Sequence, residues 1–109
     1  MYKIEGTHIT LTRGDTFLCQ IHIYNSDGTS YEPQTGDSVI FALKRTPYDR
    51  KPIMTKTINL ETMELSISPS DTDKLPFNDY MYDIRLVRSG GAVDTFIVKG
   101  VFTLDLEVH

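Results

Sequence analysis

The residues whose types could do chemistry are few and scattered. Arg13-Gly14-Asp15 spells an integrin-recognition tripeptide. A glycine that accepts positive φ, followed by an aspartate that bonds its own backbone, is also plain turn chemistry, and a turn between strands is the expected role. Asp15, Asp27, Asp37, Asp79 and Asp94 are the carboxylates from which a calcium site would have to be built. Such a site needs several oxygens converging, and no Asp-x-Asp-x-Asp run occurs. Capping of the turns they stand beside is their expected work. His8, His22 and His109 lack metal-ligand spacing, and His22 falls on a solvent phase. Cys19 shares a phase with Phe17, Ile21 and Ile23, which predicts a buried, inert thiol. Ser66, Ser68 and Ser70 have no His–Asp partners at a recognisable spacing, and no glycine-rich phosphate loop is present. Tyr24, Tyr31 and Tyr48 suit a sugar platform or a protein interface, but the sequence does not say that they meet. No catalytic, cofactor-binding or metal set emerges. The chain is therefore expected not to be an enzyme and to hold no cofactor.

Composition narrows the classes further. The 109 residues are 39% hydrophobic and 24% charged, the balance of one globular domain spanning 1–109. A domain of this size buries roughly 65% of its unfolded surface, a core that needs no staples. The net charge is -4, with Lys and Arg dispersed, so no nucleic-acid partner is expected. The single cysteine cannot close an intramolecular disulfide, in keeping with a reducing compartment. Residues 1–20 show no charged segment leading into an apolar core, and no apolar run reaches membrane-spanning length. Neither a signal peptide nor a membrane partner is expected.

The elements that must position these residues are strands. The clearest is Leu75 to Val87, where turn chemistry runs into strict alternation. Tyr80, Tyr82, Ile84 and Leu86 fall on one face, and Met81, Asp83, Arg85 and Val87 on the other. Tyrosines at the mouth of a late strand suggest the corner that pins immunoglobulin-type sandwiches. Asn78, Tyr80 and Tyr82 are its expected residues, with Asn78 in a left-handed conformation. Similar alternation predicts strands at 8–12, 16–24, 38–45, 53–60, 63–67, 80–88 and from 92 onward. An Asp27-Gly28 turn follows the second strand, and one helical turn over 68–74 begins at Pro69. The implied fold is all-β, an immunoglobulin-like antiparallel β-sandwich of about seven strands. Taken in order as A to G, these strands place Cys19, Phe41 and Tyr82 where an antibody domain keeps its cysteine, tryptophan and second cysteine.

Five marks stand in order: Arg-Gly-Asp-Thr at 13–16, Asp27-Gly28, Thr35-Gly36-Asp37-Ser38-Val39, Leu-Pro-x-x-x-Tyr-x-Tyr-Asp-Ile at 75–84, and Lys99-Gly100-Val101-Phe102. With them the chain resembles a family of phage and prophage structural proteins, and in particular the N-terminal domain of siphophage upper baseplate proteins. The resemblance covers nearly the whole chain. It implies an immunoglobulin-like, non-enzymatic virion part of a bacteriophage tail or baseplate, made in the bacterial cytoplasm and then carried in the virion. Its partners would be other virion proteins, met through protein–protein contacts. Asn78 stands where relatives tend to carry glycine. A full baseplate protein would continue beyond His109 into oligomerising and receptor-holding segments, so those roles are not carried over. A carbohydrate-binding or adhesive β-sandwich is the alternative, and it would require clustered aromatics or a calcium site.

The last segment carries the assembly expectation. Phe96, Val98, Phe102, Leu104, Leu106 and Val108 share a phase, and Gly100 marks a bend or bulge. Phe102, Leu104, Leu106 and Val108 are expected to exceed the cover that the domain can supply. That would make them an interface for strand addition to a virion partner or for a homo-oligomer.

Overall fold

The computed structural model describes residues 2–25, 27–46, 48–76 and 78–105, and for 96–99 the backbone alone. Eight strands and one short helix are present among them. In chain order they are β1 (Tyr2–Glu5), β2 (His8–Thr12), β3 (Phe17–Gln20), β4 (Ser38–Lys44), β5 (Met54–Thr57), β6 (Glu64–Ile67), α1 (Pro69–Thr72), β7 (Asn78–Val87) and β8 (Val93–Asp105). They form an all-β sandwich. A six-stranded sheet in the order β1-β2-β8-β7-β4-β5 faces a two-stranded sheet, β3-β6.

The alternation read from the sequence is what the sandwich buries. Ile9, Leu11, Val39, Phe41, Leu43, Tyr80, Ile84 and Phe102 line the large sheet's inner face, and Phe17, Leu65 and Ile67 come from the small one. Two strands cannot cover six. Connecting segments complete the lid, with Ile23 and Ile58 buried and Ile53, Leu60 and Leu75 packed against the core. The three residues expected at the cysteine–tryptophan–cysteine positions share one cluster. Phe41 and Tyr82 stack at 5.2 Å between ring centroids, and Cys19 packs beside the same cluster. Cys19 is half-buried, not fully enclosed as expected, and burial pushes its thiol up.

Two strands pair differently from the simplest sandwich. In a constant-type domain the fourth strand joins the first, second and fifth. Here β5 pairs antiparallel with β4, Ile40 opposite Thr57, and so extends the large sheet. β2 runs parallel to β8, with Ile9 opposite Phe102 and Leu11 opposite Leu104. The segment expected at 16–24 stops pairing with β6 at Gln20 because its partner changes. Beyond Ile21, whose N–H reaches the Met63 carbonyl at 2.7 Å, the chain folds back on itself. The Tyr31 N–H reaches the Ile23 carbonyl at 2.9 Å, and Tyr24 bridges Ser30.

The expectation of an uncovered final strand is corrected. Phe102 and Leu104 are 0% and 1% exposed, because β8 lies between β2 and β7 and its inner face meets the core. Leu106 and Val108, the other half of that expected interface, lie outside the described residues. The predicted bend is present. Two register shifts fall where Tyr82 opposite Gly100 gives way to Ile84 opposite Ile97 and then to Arg85 opposite Thr95, so β8 carries the extra residues of a bulge. Ile97, not residue 96 or 98, therefore holds the register position opposite Ile84.

The expected left-handed Asn78 is also corrected. Asn78 is the first residue of β7, drawn into the ladder opposite Leu104. The non-glycine residue with positive φ among those described is Met63, at 56°. There the Met63 N–H closes onto the Asn59 carbonyl at 2.6 Å, an i→i+4 turn whose last residue must be left-handed. The helical turn is as predicted. Pro69 stands at its start, and the Asp71 carboxylate accepts from the Ser68 N–H at 2.8 Å and the Ser68 hydroxyl at 3.0 Å.

Candidate functional site

The strand directions put different connections at the two ends. One end holds the β2–β3, β4–β5 and β6–β7 links. The other holds β3–β4, β5–β6 and β7–β8, the end at which immunoglobulin-type domains carry their binding loops.

The first end is occupied by structure. Tyr80 donates its hydroxyl to the Pro76 carbonyl at 2.5 Å, the bond that defines a tyrosine corner. Tyr80 stands two residues before Tyr82, which takes the place of the second cysteine. The Tyr82 hydroxyl reaches the Thr7 carbonyl, and burial pushes its pKa up to about 12. A side chain at Gly100 would stand 2.4 Å from the Tyr82 ring, so this ring is what requires glycine there. The Arg13-Gly14-Asp15 tripeptide sits in the β2–β3 turn, with Gly14 at φ 92°. The Arg13 guanidinium donates to the Leu75 carbonyl at 3.4 Å, which ties this turn to the β6–β7 link. Tyr48 is 91% exposed on the β4–β5 link and does not join the other loop tyrosines.

At the second end the loops build a cleft of about 310 Å³. Ile23 and Leu86 form apolar wall, and Tyr24, Asn25, Tyr31, Arg88 and Asp94 supply the polar and aromatic lining. One wall is the 23–31 hairpin. Its tip is fixed by the Asp27 carboxylate, which accepts from the Thr29 N–H at 3.0 Å and the Thr29 hydroxyl at 2.6 Å. The other wall is the β7–β8 hairpin, closed by the Arg88 N–H on the Ala92 carbonyl at 2.8 Å. The walls are tied together. Arg88 lies 5.5 Å from the Tyr31 ring centroid, and a side chain at Gly36 would come within 2.7 Å of the Ser89 Cβ. The Tyr31 hydroxyl donates to Asp37, which also accepts from the Gln34 N–H at 2.8 Å. That bond holds the Asp37 carboxyl below the usual carboxylate range and pushes the Tyr31 phenol up. Arg88 binds Asp94 through Nε at 3.0 Å and through its terminal nitrogen at 2.9 Å, both on Oδ2.

The sequence named Tyr24, Tyr31, Asp37 and Asp94 separately. Arg88 was not singled out, and only the 23–31 return and the β7–β8 hairpin bring the set together. A second cluster was also missed. The His8 Nε2 lies 2.8 Å from the Thr103 hydroxyl, which donates to Asp79 at 2.6 Å. The threonine proton points at the carboxylate, so this order does not activate a nucleophile. It laces β2, β8 and β7 across an exposed face. Asp27, Asp37 and Asp79 thus bond turn amides and hydroxyls, and Asp94 Oδ2 binds an arginine. Among the described residues no group of three or more His, Cys, Asp or Glu is placed to hold a metal ion. No described helix is long and apolar enough to cross a membrane.

The edge of the large sheet is distinctive in another way. All four residues of β1 are exposed, with Tyr2 at 42% and Ile4 at 45%. Lys3 and Glu5 pair on the alternate face at 2.5 Å. The Tyr2 ring stands edge-on to Phe17 at 4.8 Å, and its hydroxyl donates to the Leu18 carbonyl at 2.9 Å, so β1 is buttressed against the small sheet.

No family model matches the chain, nor does any curated protein or solved structure. The topology is that of an all-β sandwich of two sheets, with a lined cleft at one end.

Proposed function

We propose that the chain is a non-enzymatic structural module of a bacteriophage or prophage virion, associated with tail or baseplate and working through protein–protein contacts. β1 is the observation that carries this reading. It is a short edge strand bonded to β2, buttressed by Tyr2, and displaying Tyr2 and Ile4 to solvent. An edge with apolar residues at alternate positions is what strand addition uses: main-chain bonds give affinity and the side chains give register. The five marks of the resemblance support the same reading. They fall at the β2–β3 turn, the 23–31 hairpin tip, the entry to β4, the tyrosine corner and the Gly100 bulge. The partners are other virion proteins, reached during assembly in the bacterial cytoplasm.

The test is mass spectrometry of gradient-purified particles induced from the source bacterium. Peptides of this chain should co-sediment with tail proteins at fixed stoichiometry, and their absence from intact particles would overturn the proposal. Ile4→Lys places a charge on the edge and should exclude the chain from particles while leaving its fold intact.

A further inference from the structure

We propose that the cleft between the 23–31 and β7–β8 hairpins is a binding site for a neutral saccharide. It rests on residues remote from β1 and is independent of the assembly reading. The cleft offers the two things a pyranose asks for. Tyr24 is 61% exposed at its wall, and such a ring takes the C–H face of a sugar. Beside it lie the Arg88–Asp94 pair and Asn25, whose Nδ2 already donates one hydrogen to the Thr29 hydroxyl at 3.0 Å.

The pair matches a vicinal diol. Both arginine contacts fall on Asp94 Oδ2, and Oδ1 takes part in neither. One sugar hydroxyl can donate to that carboxylate while its neighbour accepts from a guanidinium or amide N–H, each bond strengthened by the charge on the protein partner. Charge selects the class of sugar. Arg88 is neutralised by Asp94, and Asp37 adds a further carboxylate behind Tyr31. An anionic sugar would meet no unpaired cation here, whereas a neutral one loses nothing. The volume of about 310 Å³ is at the small end of ligand sites and suits one or two rings. The walls are set before binding. Tyr31 is held by Asp37 and Arg88, and Gly36 lets the two loops approach, so little ordering is left for the ligand to impose.

The experiment is a ¹⁵N-labelled titration of the intact chain with maltotriose, cellotriose, a mannotriose and lactose. Sialyllactose and a trigalacturonate serve as anionic controls, and each run is repeated with EDTA. At least one neutral sugar should shift the amides of 23–31 and 88–94 with a millimolar or tighter Kd, unchanged by EDTA, and more strongly than either anionic control. Tyr24→Ala should weaken it about tenfold and Asp94→Ala by a similar factor. Tyr24 is so exposed that its removal should leave the fold intact, and a parental spectrum away from the cleft checks this. Any one of four results overturns the proposal: no neutral sugar binding, binding confined to anionic sugars, loss on EDTA, or full affinity in the folded Tyr24→Ala variant.

Discussion

Tyrosine is used in opposite ways at the two ends of this sandwich. At the corner, Tyr80 is 2% exposed and its hydroxyl is consumed by the Pro76 carbonyl. At the loop end, Tyr24 is 61% exposed, and Tyr31 is held by a buried carboxylate behind it and by an arginine that lines a cleft. The residue type is the same and the backbone context differs. A tyrosine in phase on a strand delivers its ring to the core, and its polar tip must then find a backbone acceptor. A tyrosine on a hairpin return leaves its ring to whatever approaches. The corner end should therefore respond to substitution in stability, and the loop end in binding.

The largest stability effect is expected at the bulge. Gly100→Ala would push a methyl to within 2.4 Å of the Tyr82 ring, which is packed on Phe41 and tied to Thr7. Neither side has room to give, and overpacking of this kind should cost about 3 kcal/mol in a denaturant titration. Tyr24→Ala at the other end should cost less than about 0.5 kcal/mol in the same assay. Equal losses would erase the distinction between the ends.

The next effect tests which residue is truly left-handed. Met63→Val adds a branch at Cβ to a residue already left-handed at φ 56°, restricting χ1 where the backbone is crowded, and should cost about 1.5 kcal/mol. Asn78→Val should stay within about 0.5 kcal/mol, since a strand start accepts valine readily. The reverse ranking in thermal melts would restore the turn that the sequence suggested. Third in size is the corner bond. Tyr80→Phe removes the donor from the Pro76 carbonyl and should cost about 1 kcal/mol net. A parental melting temperature would mean that the hydroxyl contributes packing volume alone.

These residues also mark what the sequence could and could not disclose. Period-two alternation reports which face a residue takes, so Phe41, Tyr80, Ile84, Phe102 and Leu104 were legible as one inner surface. It does not report a strand's neighbour. Hence 53–60 was legible as a strand but not as the partner of β4, and the final strand was wrongly given an open face until β2 is seen running parallel to it. Asn78 has the commonest chemistry for positive φ, yet the i→i+4 closure from Asn59 imposes that angle on Met63, a residue with no such preference. The cleft was hardest to read. Tyr24 and Arg88 are far apart in sequence, and their meeting depends on two hairpins returning to the same end.

The smallest effect concerns pH and again compares the two ends. At the loop end, the Tyr31 hydroxyl and then the Gln34 N–H hold the Asp37 carboxyl below its ordinary range. At the corner end, burial pushes the Asp71 carboxyl up, but Lys56 at 2.8 Å and the Ser68 donors outweigh it, so this carboxyl is also held low. Both folded-state values lie below those of the unfolded chain, so on acidification the unfolded chain takes up the protons first. The stability each carboxylate contributes is then fully present above the ordinary carboxylate range near pH 4 and is lost as pH falls through the depressed folded values. Asp37→Asn and Asp71→Asn should each be less stable than the parent at about pH 6, and the gap should narrow as pH falls below about 4. The ends should separate in a second readout. Only Asp37→Asn should alter the environment of the Tyr31 ring, seen by its aromatic proton shifts at neutral pH. Stability profiles that run parallel to the parent across that range would show that neither carboxylate is held by its partners. A Tyr31 ring that responds equally to Asp71→Asn would show that the two ends are not independent.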